Sequence, residues 1–191
     1  MLSFPPLCNL PTWSTIIKCP IGVLKLTTCA DGVHNLEFQS SFVPSNLIDF
    51  VVSIESTSLE NIPAPVSNVL AWLEAYFQTP TKLANIPLPN FCFMRPLTAE
   101  NRFADRVLLE LTKIGFGERV TYGELAKRAG NEMASRAVGQ VMLSNPVCLM
   151  LPCHRVVLKS GGLGNYAGGK QNEIKKWLLD YESEKSGKDS E

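Results

Sequence analysis

The stretch MLPCHRVVLKS, residues 150–160, sets Cys153 between a proline and one of only two histidines in the chain, at the end of the apolar run VCLML. A free thiol of pKa about 8.5 is little ionised at neutral pH, and the thiolate is the attacking species. Lowering that pKa by ~3 units corresponds to ~4 kcal/mol, within reach of a nearby histidine acting as base or cationic partner together with backbone donors. Adjacent side chains of an extended stretch point to opposite faces, so Cys153 and His154 communicate through a bridging water or a tight turn. The plain alternative is a small apolar filler, the reading that suits Cys8, Cys19 and Cys148. Downstream, KSGGLGNYAGG packs five glycines and Tyr166 into eleven residues. It reads either as a linker or as a loop whose backbone approaches a flat ligand with Tyr166 as one wall.

Several elements must hold these groups. TIIKCPIGVLKLTTCADGVHNLEFQS reads as short strands of an antiparallel meander, punctuated at Pro20 to Gly22 and Asp31 to Gly32. VSNVLAWLEAYF aligns Val66, Val69, Leu70, Leu73 and Phe77 on one helical face, between Pro65 and Pro80. The proline-rich residues 80–97 read as a connector, and RFADRVLLELTKI as a further helix. In TYGELAKRAG, Thr121 and Glu124 form a capping-box pattern and Gly130 supplies a left-handed stop. NEMASRAVGQVMLSNP continues at helical spacing until Asn145 and Pro146. Two short helices joined by a glycine-containing turn suggest a helix-turn-helix, although such pairs also occur in proteins that never touch nucleic acid. On the second helix the outward residues Ser135, Arg136, Gly139 and Gln140 are small or polar, which suits approach to a nucleic-acid backbone. VCLML has the length of a buried strand. NEIKKWLLDYE places Ile174, Trp177, Leu178 and Tyr181 on one face of a last helix, where Glu182 reads as a solvated terminus.

The chain has 191 residues and zero formal net charge, enough to bury a sizeable core. The charge is uneven: residues 1–94 carry three Lys/Arg against six Asp/Glu, and residues 95–182 thirteen against nine. The second half can therefore meet a polyanion. No secretory pattern or unbroken apolar run of ~18 residues stands in the sequence, so the expectation is an intracellular protein without membrane contact and with reduced cysteines. Residues 183–191, with charges and no apolar side chain, are expected to be a disordered tail.

The combination PCHRVV, preceded by SRAVGQVMLSNP and followed by GNYAGG and WLLDYE, closely resembles the O6-alkylguanine-DNA alkyltransferases, most densely over residues 116–182 and more weakly at CPIGVLKLTTCADGVHNLEF. The resemblance implies an α+β protein. A small N-terminal α/β, ribonuclease H-like domain with its linker would occupy residues 1–95. A mainly helical, winged-helix-like domain with the helix-turn-helix would occupy 96–182. It further implies a monomer that flips O6-alkylguanine out of double-stranded DNA, bound through the minor groove, and moves the alkyl group irreversibly to Cys153. His154 would withdraw the thiol proton through a water and Glu182 would orient His154. Tyr122 would face the flipped nucleotide, and Arg136 would fill the vacated stack. Asn145 would tie the helix pair to the reactive site. Met142, Tyr166, Ala167 and the backbone of Cys153 and Val156 would line the base pocket, with Asn131 and Lys159 as further DNA contacts. The compartment implied is a nucleus in a eukaryote and the cytoplasm otherwise.

Two departures stand out: Ala167 where the vertebrate pattern has serine, and two extra residues between Gly169 and Trp177, which bear on the Glu182 assignment. Transfer needs no cofactor. Some vertebrate members hold a structural zinc through two cysteines and two histidines; here Cys29 and His34 match one pair in spacing, Cys8 is displaced and Cys92 lies near the other histidine position. Two other classes compete. A damage-recognition protein that binds alkylated DNA without repairing it would lack the cysteine, and a cysteine hydrolase would need an oxyanion hole that no motif supplies.

Overall fold

In the computed structural model the chain is α+β and divides into two compact units, Pro5–Phe93 and Met94–Glu191. The structure describes residues 8–39, 53–55, 62–94, 102–166, 169 and 171–187.

In the first unit, β1 (Trp13–Cys19), β2 (Gly22–Cys29) and β3 (Gly32–Phe38) run antiparallel in succession, as the meander pattern predicts. The short β4 (Ser53–Glu55), absent from the sequence reading, pairs with the other edge of β1, giving the order β3-β2-β1-β4. Ile17, Leu24, Leu26 and Leu36 alternate onto the buried face. Against it packs α1 (Ala64–Gln78), which carries proline in its first turn and buries Val66, Val69, Leu73 and Phe77. Trp72 and Tyr76 join the same core, stacked 5.3 Å apart. β3 is also laced to the chain near residue 91: Val33 N–H donates to Asn90 O at 2.8 Å and Cys92 N–H to Val33 O at 2.9 Å. Gly32 permits the approach, because a Cβ there would press into the Asn90 carbonyl.

In the second unit, α2 (Phe103–Thr112) packs against α3 (Tyr122–Arg128) and α4 (Ser135–Leu143), the helix pair. The capping box closes as its residue types predict, with Glu124 N–H donating to Thr121 Oγ1 at 3.2 Å and Thr121 N–H to Glu124 Oε2 at 2.6 Å. Gly130 then turns the chain at φ +86°. Residues Val120–Thr121 (β5) pair in parallel with Val156–Val157 (β6), so the helix pair is the crossover between two short strands. A last helix, α5 (Asn172–Lys185), follows.

Two expectations fail here. Val147–Leu151 is buried but is not a strand: Leu149 stands at φ 70°, and the segment bonds to itself through Met150 N–H to Cys148 O at 2.8 Å and Leu151 N–H to Val147 O at 3.1 Å. An all-apolar run has no period to separate a buried strand from a buried turn. The tail, expected disordered from residue 183, begins as helix: α5 carries on through Ser183, Glu184 and Lys185, because buried Tyr181 and Glu182 anchor its last turns and no helix-breaking residue precedes Gly187, at φ 66°. Residues 188–191 lie outside the described residues. No helix among the described residues is long and apolar enough to cross a membrane.

Candidate functional site

Cys153 opens a single 3-10 turn, Cys153–Arg155, between the self-bonded loop and β6. The turn, rather than an extended chain, decides where the cysteine and histidine point. Cys153 N–H donates to Leu151 O at 2.7 Å, and Asn145, just past α4, organises the rest. Its Oδ1 accepts from Val147 N–H at 3.0 Å, and its Nδ2 donates to Leu151 O at 2.9 Å and to Cys153 Sγ at 3.1 Å. One amide thus fixes the loop and holds a donor on the sulfur.

Cys153 is 6% exposed and borders a cavity of about 530 Å³, within the usual range for small-molecule sites. Tyr122, Met142 and Tyr166 border it as well, joined by Leu143 and Leu158, which the sequence reading missed. Val156 is not on that border: its side chain is wholly buried and its carbonyl oxygen accepts from Lys175 Nζ at 2.7 Å. Ala167 lies outside the described residues. Arg136, in the first turn of α4, and Lys159, in the turn after β6, are exposed and do not line the cavity. Asn131 is exposed too, in the turn between α3 and α4, where its Oδ1 accepts from Met133 N–H at 3.2 Å.

Behind the sulfur lies a buried polar chain. His154 Nε2 is 2.9 Å from Glu182 Oε1, with both side chains at most 1% exposed. Glu182 is thus no solvated terminus. Arg155 Nε donates to its two oxygens at 3.1 and 2.9 Å, Arg155 Nη2 donates at 2.8 Å, and Gly117 N–H adds a bond at 3.1 Å. Arg155 Nη1 is taken by Ile114 O at 2.6 Å. Burial pushes the Glu182 carboxyl up, but the charge and hydrogen bonds of His154 and Arg155 more than offset this and hold it well below the usual carboxylate range. Burial pushes His154 down despite Glu182 beside it, so the imidazole is neutral. An ionised Glu182 accepts, so Nε2 carries the proton and Nδ1 keeps its lone pair. That Nδ1 is buried without a hydrogen-bond partner among the described residues. Burial also pushes the Cys153 thiol up, against the Asn145 hydrogen bond and the charge of Lys175.

Sequence reasoning assigned no role to Arg155 or Lys175. Lys175 is 0% exposed. It sits three residues before Leu178 and seven before Glu182, so a charge at an apolar-face position was the signal.

A second cluster lies in the first unit. The ligand atoms of Cys8, Cys29, His34 and Cys92 all fall within 4.8 Å of one another. The sulfur separations are 3.1 Å for Cys8 and Cys92, 3.5 Å for Cys8 and Cys29 and 3.7 Å for Cys29 and Cys92, and His34 Nε2 is 3.5 Å from Cys8 Sγ. Thiolates about 2.3 Å from a tetrahedral zinc would stand roughly 3.8 Å apart, so the set fits with small adjustments. Burial pushes Cys92 up to about 12, its thiol neighbours adding to the shift, and burial lowers His34, which leaves a neutral imidazole. Four donors crowded this closely suit a cation.

Comparisons with known proteins agree on one family. The family described as 6-O-methylguanine DNA methyltransferase, DNA binding domain, matches residues 102–184. A methylated-DNA–protein-cysteine methyltransferase of Rattus norvegicus is 39% identical over 91% of this chain and 83% of its own length. That of Homo sapiens is 37% identical over 91% and 82%. Among solved structures, Mycobacterium tuberculosis OGT in complex with DNA aligns with a TM-score of 0.60 and 30% identity, covering 88% of this chain and 91% of its own. With the Cys153–Arg155 turn, the helix pair and these likenesses together, the chain belongs to the methylated-DNA–protein-cysteine methyltransferase family.

Proposed function

We propose that this chain repairs O6-alkylguanine in double-stranded DNA by moving the alkyl group to its own Cys153, irreversibly and once per molecule. The observation that carries the reading is a hydrogen-bonded sulfur bordering a base-sized cavity, with the His154–Glu182–Arg155 chain behind it. Glu182 fixes the tautomer of His154, and Nδ1 takes the Cys153 proton through a water. The Asn145 N–H steadies the thiolate as it forms. Sulfur then attacks the alkyl carbon; the S–C bond forms, the C–O6 bond breaks with its electron pair leaving on guanine, and guanine takes up the proton that the thiol lost. The thioether has no good leaving group, so the protein is spent.

A base must leave the stack before its O6 substituent can be reached. Tyr122 and Tyr166, on the cavity border, receive the base together with Met142 and the Cys153 backbone. Small outward residues on α4 admit it to the minor groove, Arg136 fills the gap in the stack, and Asn131 and Lys159 add contacts to the DNA. The second unit is read as winged-helix-like and the first as ribonuclease H-like. The protein acts as a monomer wherever the chromosome lies, in a nucleus or a prokaryotic cytoplasm. Zinc held by Cys8, Cys29, His34 and Cys92 would stabilise the first unit and take no part in transfer.

Incubation with duplex DNA containing O6-methylguanine tests the reading. Mass spectrometry should find one methyl group, on Cys153, and Cys153→Ala should bind the duplex and accept nothing. Repeated turnover would identify a hydrolase, and binding without modification a recognition protein; either result would overturn the proposal.

A further inference from the structure

Three sulfurs in mutual contact can do something besides hold a cation. Cys8, Cys29 and Cys92 stand 3.1 to 3.7 Å apart, and two thiols at such a separation become a disulfide once an oxidant removes two electrons and two protons. The three are not equivalent. Cys29 ends β2, is buried, and its sulfur accepts from Asp31 N–H at 3.3 Å. Cys92 is pinned to β3, its N–H on Val33 O at 2.9 Å. Cys8 stands ahead of β1, outside any strand or helix, so no ladder holds its backbone. Cys8 and Cys92 are only half-buried, and at 3.1 Å they form the shortest of the three sulfur pairs. Closing them to a bond of about 2.05 Å asks the sulfurs to approach by about 1 Å. Joining Cys29 to Cys92, at 3.7 Å, would have to move two anchored segments instead.

We propose that Cys8 and Cys92 are a redox pair: a peroxide converts them to a disulfide, and the cluster then gives up its cation. The Cys8 sulfur attacks one oxygen of hydrogen peroxide; the S–O bond forms, the O–O bond breaks, and the departing hydroxide takes the Cys8 proton as water. The Cys92 sulfur then attacks the Cys8 sulfur of the sulfenic acid; the S–S bond forms, the S–O bond breaks, and the second hydroxide leaves with the Cys92 proton. The two sulfurs lose two electrons and the peroxide gains them. With a cation bound the thiolates carry no protons, and the hydroxides take theirs from solvent. Cys29 and His34 remain, two donors where a tetrahedral zinc needs four, so the ion leaves. The new bond keeps the segment before β1 fastened beside β3, as the cation did. Cys153 takes no part, so the pair is independent of the repair reading; only the release of zinc rests on the cation reading of the cluster.

Reduced protein loaded with zinc is treated with hydrogen peroxide. A chromophoric chelator follows the zinc, and digestion without reductant followed by mass spectrometry locates the link. One zinc should appear for each Cys8–Cys92 disulfide formed, and dithiothreitol with fresh zinc should restore both the thiols and the metal. A link through Cys29 instead, or zinc lost with sulfinic acid and no disulfide, would overturn the proposal. Cys92→His keeps four donors and removes one partner of the pair. It should load zinc and release it more slowly by about tenfold or more under the same peroxide; release at the wild-type rate would count against the pair as decisively. Metal-free, reduced wild-type protein needs neither a variant to fold nor zinc to bind. It should form the same link, and thiols that stay free would refute the pair. Should the protein never take up zinc, the cation reading falls while that link still decides the pair. Should Cys153 fail to accept a methyl group from DNA, the repair reading falls and the disulfide result is untouched.

Discussion

Glu182→Gln keeps the shape of the side chain and removes its charge. The carboxylate accepts from His154 Nε2, from Arg155 Nε and Nη2 and from Gly117 N–H. A glutamine offers one accepting oxygen and a donating NH2. With the NH2 toward the Oε1 site, it faces His154 and Arg155 Nη2; turned the other way, it faces Arg155 Nε and Gly117. Either way at least two donors lose their acceptor, at ~1–3 kcal/mol each, and Arg155 becomes a buried charge without an anion, the larger penalty at ~3–5 kcal/mol. The two overlap, so the expected destabilisation is ~3–5 kcal/mol, against a total stability of ~5–15 kcal/mol for a domain. In urea, with a slope of about 1–3 kcal/mol/M, the midpoint should fall by ~1 M or more. Because Glu182 is held below the ordinary carboxylate range in the fold, its contribution is present at neutral pH and is lost as pH falls below about 4. The variant should therefore lose less stability than the wild type on acidification. Single-turnover transfer from an O6-methylguanine duplex should slow by ~10²–10⁴-fold, since His154 is no longer fixed with its lone pair on Nδ1. A stability change under ~1 kcal/mol, or an unchanged transfer rate in folded variant protein, would refute the argued role of the carboxylate.

Other outcomes follow from the same geometry. His154→Ala should slow transfer by ~10²-fold or more at neutral pH and less at alkaline pH, where the thiol ionises unaided; a loss independent of pH would indicate packing instead. Arg136→Ala should slow transfer to duplex DNA by about tenfold or more while barely affecting reaction with a free alkylated base, because unstacking costs a few kcal/mol only in the duplex; equal losses would remove the stack-filling role. Metal analysis of purified protein should find one zinc per chain, abolished by Cys29→Ser, and the zinc-free protein should melt at lower temperature yet still methylate Cys153. Zinc-free protein that no longer accepts a methyl group would show that the metal reaches the reaction.

What the residue pattern disclosed was what local rules control. Pro20 to Gly22 and Asp31 to Gly32 punctuate the meander because turns need those residues, and Thr121 with Glu124 marks the start of α3 because orphan N–H groups need acceptors. β4 was invisible, since a three-residue strand exists only through the edge of β1 that it pairs with. The loop Val147–Leu151 misled because its form is set by one side chain, Asn145, and by Leu149 in a left-handed conformation, neither of which leaves a periodic trace. Cys153 and His154 stood out by type and spacing. Arg155 and Lys175 look like ordinary solvated charges until the fold buries them, because their roles depend on Glu182 and Val156 reaching them across the chain.

Gly32 shows how far from its members a cysteine and histidine cluster can be broken. Lacking a side chain, it lets the backbone at Asn90 press against β3, and that contact carries Cys92 to Cys29 and His34. A single added methyl would pry the fourth donor away while leaving the other three in place. Inherited loss of the cluster therefore need not touch a cysteine or a histidine, and a glycine codon becomes as sensitive a target as any codon for one of its four members.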